Sequence, residues 1–212
     1  MRAIPNHKSQ IENPMNIPQF ESTLKDVTGD LCGHEVRKGV LGMSNLYLPV
    51  EEILQRYRDG YHPSEEQKMK LFQGTQSEIG MRGRLEIVCK KLGLEWGDPR
   101  TLVAYNGRLT GHTDGDVERQ IVIEVKTVPD YEILKRMKQD GRVPFKVFSQ
   151  VNAYCLWGPF ERGLVIYETR NEGALWLVDV LPSRKIQDEL KQKVERVLQA
   201  IESTGSSPGV GS

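Results

Sequence analysis

RLTGHTDGDVERQIVIEVKTV, residues 108–128, holds two strand-like segments joined by a polar turn at Arg119 and Gln120. The second segment, IVIEVKTV, is apolar enough to be a buried strand. Glu124 and Lys126 lie two residues apart on it and share a face, while Ile123, Val125 and Thr127 point the other way. Ile123 and Val125 can pack into a core. A carboxylate and an amine on such a strand are costly to bury without partners. Asp114, in the stretch Gly111-His112-Thr113-Asp114-Gly115, is placed on the neighbouring strand to complete an oxygen-rich pocket with Glu124.

Two carboxylates converging in this way suit a hard cation, and Mg²⁺ or Mn²⁺ fits the ligand set. Such an ion activates water and offsets the charge that develops on a phosphodiester in transition. Lys126 can orient that water or stabilise the developing negative charge. E-x-K alone more often marks an exposed ion pair on a solvated strand. The apolar flanks of Glu124 and the glycine-rich setting of Asp114 shift the balance towards a site.

Upstream, TLVAY and the Asp114 strand are separated by Asn106-Gly107, a hairpin signal. Pro49 precedes VEEILQRYRDG, a short amphipathic helix closed by Gly60. Ser64 with Gln67 reads as a capping box opening SEEQKMKLF, and Thr75 with Glu78 as a second, opening TQSEIGMRGRLEIVCKKLG. That second helix carries Gly80, Arg82, Gly83 and Glu86, and Glu86 is a candidate third carboxylate.

Downstream, Asp130 to Met137 reads as helix, punctuated by Gly141, and PFKVFSQVNAYCLWG as another, ending near Gly158. On the latter, Gln150 and Tyr154 are four apart and share a face. There they can contact a nucleic acid by hydrogen bonding or stacking. GLVIYET and ALWLVDVL form a further hairpin. After Pro182, Ile186, Leu190, Val194, Val197 and Ile201 stripe an amphipathic helix. The order predicts an α/β protein in which a largely antiparallel meander meets helices on its faces.

The chain has 212 residues, 38% hydrophobic and 27% charged, which suits one globular domain and excludes a disordered chain. The reading is an irregular arm over residues 1–40, one domain over 41–204 and a flexible tail over 205–212. A formal net charge of zero argues against a protein that coats nucleic acid nonspecifically, but not against one local basic groove. The cysteines (Cys32, Cys89, Cys155) are scattered, which disfavours a disulfide framework or a structural zinc site. No apolar run reaches bilayer length and no signal peptide opens the chain, so no membrane contact and a cytoplasmic location are expected.

GMRGRLE, GHTDG, IEVKT and QVNAY, in this order from Thr75 to Leu181, resemble the RecB-type branch of the PD-(D/E)XK nuclease superfamily, which includes phage recombination and CRISPR-associated RecB-like exonucleases. The resemblance implies a restriction-endonuclease-like αβββαβ core with a mixed central sheet flanked by helices. It implies a metal-dependent deoxyribonuclease, most simply an exonuclease acting in DNA recombination, repair or phage DNA metabolism. Asp114 and Glu124, with the Val125 carbonyl, would hold Mg²⁺ or Mn²⁺, and Lys126 would be the catalytic lysine. Gln150 and Tyr154 would lie on a helix that contacts DNA or orders the site. Family members carry a further His or Glu ligand on the preceding helix. Here Arg84 stands four residues after Gly80, which leaves Glu86, in preference to Glu78. Lys135, Arg136, Lys138, Arg142 and Lys146 could line the DNA path. No iron–sulfur cluster is expected, because no cysteine follows Cys155. The resemblance also admits a homo-oligomer, a recombination partner protein and, if phage-encoded, action in the host cytoplasm. Two rivals remain: a structure-specific endonuclease, and a non-catalytic DNA-binding module on the same fold.

Overall fold

The computed structural model describes residues 38–204. The expected tail, and all but the last three residues of the expected arm, lie outside them. The described chain opens with β1 (Leu41–Gly42), a 3-10 turn (Met43–Asn45), α1 (Val50–Asp59) and the long α2 (Glu65–Leu92). Ser64 caps α2 as expected: its hydroxyl accepts from the Gln67 N–H, and the Gln67 side chain accepts from the Ser64 N–H at 2.8 Å. The second helix start at Thr75 is not observed. Its hydroxyl donates to the Leu71 carbonyl at 3.2 Å, one turn back within the same helix. A lone glycine such as Gly74 costs a helix only about 1 kcal/mol, so the ladder runs through it.

The strands are β2 (Trp96–Gly97), β3 (Thr101–Ala104), β4 (Leu109–His112), β5 (Gly115–Val117) and β6 (Ile121–Val128). After them come α3 (Tyr131–Asp140), α4 (Phe145–Trp157), β7 (Arg162–Thr169), β8 (Leu175–Val180) and α5 (Arg184–Ser203). They form a three-stranded sheet, ordered β1-β4-β3, and a five-stranded sheet, ordered β2-β5-β6-β7-β8. The single strand expected over RLTGHTDGDV is therefore two strands in different sheets. The chain breaks at Thr113, whose N–H donates to the Arg100 carbonyl at 3.0 Å and whose hydroxyl accepts from the Arg100 N–H at 3.1 Å. Gly115 completes the bend at φ 142°, where a Cβ would lie 2.4 Å from the Trp96 ring. A larger residue fits neither that backbone nor that space.

In the larger sheet β5 and β6 are antiparallel, β6 and β7 parallel, β7 and β8 antiparallel. The parallel pair needs a crossover, supplied by α3 and α4, so the sheet is mixed where the residue pattern suggested a meander. Ile123 and Val125 cluster with Ile166 and with Met81 and Cys89 of α2. Val122 and Val128, on the opposite face, join Val147, Val151 and Tyr154 of α4 in the main core. α5 adds Leu190, Val194, Val197, Leu198 and Ile201 to that core, with Ile186 only packed against its edge. Each fully buried aliphatic chain contributes about 1.5–3 kcal/mol. Glu124 and Lys126 thus project from β6 on the side covered by α4. Among the described residues, no helix is long and apolar enough to cross a membrane.

Candidate active site

Asp114 sits on the link between β4 and β5. Its N–H donates to the Ile123 carbonyl at 3.3 Å, and its Oδ2 accepts from the Val125 N–H at 2.6 Å. The side chain therefore takes over the ladder where β5 has not yet begun. The N–H and C=O of one strand residue point the same way, so the Val125 carbonyl faces this same gap. Glu124 is 1% exposed. Its Oε1 accepts from the Lys126 ammonium, and among the described residues its buried Oε2 has no hydrogen-bond partner.

Burial pushes the Glu124 carboxyl up to about 7, with Asp114 adding to the rise, and the Lys126 charge and hydrogen bond, with the nearby Gln150 amide, opposing it. Burial also raises Asp114, against Lys126, the Val125 N–H and Arg82. Desolvation alone would lower Lys126. Glu124 and Asp114 outweigh it, so the ammonium is held above its ordinary value. Two desolvated carboxyls and one ammonium are thus left short of positive charge.

A divalent cation would answer that shortage. Among the described residues, Glu124 Oε2 is buried and unpartnered and Asp114 Oδ1 has only Arg82 Nη2 at 3.9 Å, and oxygen donors suit Mg²⁺ or Mn²⁺. No third acid, histidine or cysteine completes a cluster among the described residues. Mg²⁺ keeps several waters and needs only one or two carboxylates, so the donor set fits it.

The expected third ligand is not brought in. Glu86 is exposed on α2. That helix turns Met81, Leu85 and Cys89 towards the sheet. At about 100° per residue, Glu86 lies roughly a quarter-turn from the centre of that face. Glu78 is closer, ion-paired with Arg82, which itself lies 3.9 Å from Asp114 Oδ1. Arg82 was visible in the sequence beside Glu86, but its partnership with Asp114 carried no local signal.

Gln150 and Tyr154 are placed together, but not as a surface for nucleic acid. Tyr154 is 1% exposed and Gln150 6%. The Tyr154 hydroxyl accepts from Gln150 Nε2 at 2.6 Å and donates to the His112 carbonyl at 2.6 Å. They tie α4 to the end of β4, two residues before Asp114. The expectation that they touch DNA is corrected by their burial. Arg142 and Lys146 are both exposed. Lys146 lies within electrostatic reach of Lys126, Arg56 and Glu124. Among the described residues, no hydrogen bond or ion pair ties Arg142 to the acidic centre. Lys135, Arg136 and Lys138 are exposed on α3.

The fold is similar to the crystal structure of an alkaline exonuclease (LHK-Exo) from Laribacter hongkongensis, over 79% of this chain and 90% of that one, with TM-score 0.61 and 13% identity. The same exonuclease in complex with dAMP gives TM-score 0.62 and 14% identity over 78% of this chain and 89% of that one. A phage related exonuclease from Haemophilus somnus 129PT gives TM-score 0.51 and 13% identity over 83% of this chain and 98% of that one. No protein-family model and no curated protein sequence matches. The expected restriction-endonuclease-like α/β fold is thus the observed one, shared with these exonucleases.

Proposed function

We propose that this chain is a divalent-metal-dependent deoxyribonuclease, and specifically an exonuclease, with Asp114, Glu124 and Lys126 as its catalytic residues. The observation that carries the reading is the buried Oε2 of Glu124, unpartnered among the described residues, beside Asp114 and the Lys126 ammonium. Its place on a fold shared with exonucleases, one of them solved with dAMP, makes DNA the favoured substrate. A role in recombination, repair or phage DNA metabolism belongs to the same reading.

Asp114, Glu124 and the Val125 carbonyl would hold Mg²⁺ or Mn²⁺, which supplies Lewis acidity to the phosphodiester and a lowered pKa to attacking water. Lys126 places a positive charge beside the scissile phosphate and offsets the negative charge gathering on its non-bridging oxygens. Asp114, anchored by the Val125 N–H, keeps one oxygen turned inward while the other is fixed. Tyr154 and Gln150 hold the β4 end still, so the carboxylates do not have to be ordered anew in each turnover.

Cleavage of end-labelled single- and double-stranded DNA with Mg²⁺ or Mn²⁺ tests this, with a closed circle as a control that only an endonuclease can cut. Stepwise shortening of linear DNA by the wild type, lost in Asp114→Ala and Lys126→Ala, is expected. Undiminished cleavage by the folded variants removes the proposal.

A further inference from the structure

Lys146 stands on α4 one turn before Gln150, and Arg56 of α1 bonds Asn45, two residues before the Tyr47 ring on which Lys146 sits. In a chain of zero net charge, their convergence with Lys126 is local. Desolvation, then Lys126, then Arg56 push the Lys146 ammonium below its ordinary value, with Glu124 opposing. Cations crowded in this way repel one another, and a polyanion laid across them relieves the repulsion.

Each of the two outer cations is seated on an aromatic ring. Lys146 Nζ lies 5.3 Å from the Tyr47 centroid, and Arg56 Cζ lies 4.9 Å from the Tyr61 centroid. Arg56 is fixed in place by Asn45 Oδ1 at 3.2 Å and Glu52 Oε1 at 2.8 Å. Those bonds use two of its five N–H groups, and the others remain free to donate. Tyr61 returns over Arg56 because Gly60, at φ 81°, reverses the chain at the end of α1. Its ring stays 39% exposed. A fixed guanidinium, an exposed ring and a second ring-seated ammonium make a combination suited to unpaired nucleotides: charge for the phosphates, a π-face for the base.

We propose that Arg56, Tyr61, Tyr47 and Lys146 form a ledge that holds a single DNA strand beside Asp114 and Glu124, its phosphates on Arg56 and Lys146 and an unpaired base on Tyr61. The choice of DNA rests on the nuclease reading above. Tyr47 seats the Lys146 ammonium on its ring.

Binding of a fluorescent oligothymidylate to the full-length protein, in chelator and over a range of salt, tests the ledge without cleavage. Tyr61→Ala is expected to weaken single-strand binding about tenfold, and Tyr61→Phe to restore it. A blunt duplex of equal length should lose far less on Tyr61→Ala. Lys146→Gln should weaken both, and reduce the slope of log affinity against log salt by about 0.7 for the single strand. The ledge is overturned if folded variants bind within twofold of wild type. It is equally overturned if the wild type does not bind in chelator, or if Tyr61→Ala weakens single strand and duplex alike. Failure of the nuclease reading looks different: no cleavage with any divalent metal while the ledge variants still weaken binding.

Discussion

The Val125 N–H donates to Asp114 Oδ2 at 2.6 Å, so the middle residue of E-x-K holds the carboxylate that its two neighbours face. One oxygen of Asp114 is spent on this bond, and the other is left for a ligand. Asp114→Asn keeps the shape and removes the charge. It should lower the cleavage rate by about 10³, the scale of losing one preorganised electrostatic contact. Thermal melts should show stability within about 2 kcal/mol of wild type, because removing one buried charge also removes its desolvation cost.

Glu124 carries a pH signature. Its folded pKa, about 7, lies above the ordinary 4.5. In that interval the folded carboxyl is protonated and the unfolded one is not. The stabilisation is therefore full below about 4.5 and is lost as pH rises through about 7. In chelator, the midpoint of wild-type urea unfolding should fall between those limits relative to Glu124→Gln. A wild-type profile parallel to that of the variant contradicts the assignment.

Divalent metal should reverse this loss. At a hundred times its dissociation constant, Mg²⁺ or Mn²⁺ adds about 2.7 kcal/mol to the folded state. For a domain of this size that raises Tm by about 5–10 °C. Differential scanning calorimetry should find the increase in wild type and not in Asp114→Ala.

Tyr154 separates ordering the site from touching DNA. Tyr154→Phe removes the hydroxyl that accepts from the Gln150 amide and donates to the His112 carbonyl, at a cost of about 1–3 kcal/mol. Cleavage should slow, while DNA affinity in chelator stays within twofold. A large loss of affinity would restore the DNA-contact role that burial removes.

Glu86 and Glu78 are told apart by metal titration. Glu86→Gln, on an exposed helix face, should change neither metal affinity nor stability by more than about 0.5 kcal/mol. Glu78→Gln frees Arg82, whose guanidinium then turns fully to Asp114 and should weaken metal binding.

The centre was legible because its logic is short-range. Glu124 and Lys126 share a face by the two-residue period of a strand, and apolar neighbours on both sides marked that strand as buried. The Ser64 cap and the α5 stripe were legible for the same reason. What escaped was set by distant partners. Arg100 bends the chain at Thr113 and so divides an apparently continuous strand between two sheets. The phase of Glu86 depended on α2 running unbroken from Ser64, and local capping signals at Thr75 suggested otherwise. Gln150 and Tyr154 show a helical spacing that is the same for a buried brace and an exposed platform. Only the packing of α4 between the sheet and α5 distinguishes them.

Arg100 also reaches past Asp114, pairing its guanidinium with the fully buried Asp116 while its backbone grips Thr113. The acid is thereby clasped from both sides by one residue that belongs to neither sheet's interior. Wear at that clasp would be felt first as a misaimed carboxylate, in a protein that otherwise still melts as one piece. Variants that lose activity while keeping their fold should therefore cluster around Arg100 as well as around the acids themselves.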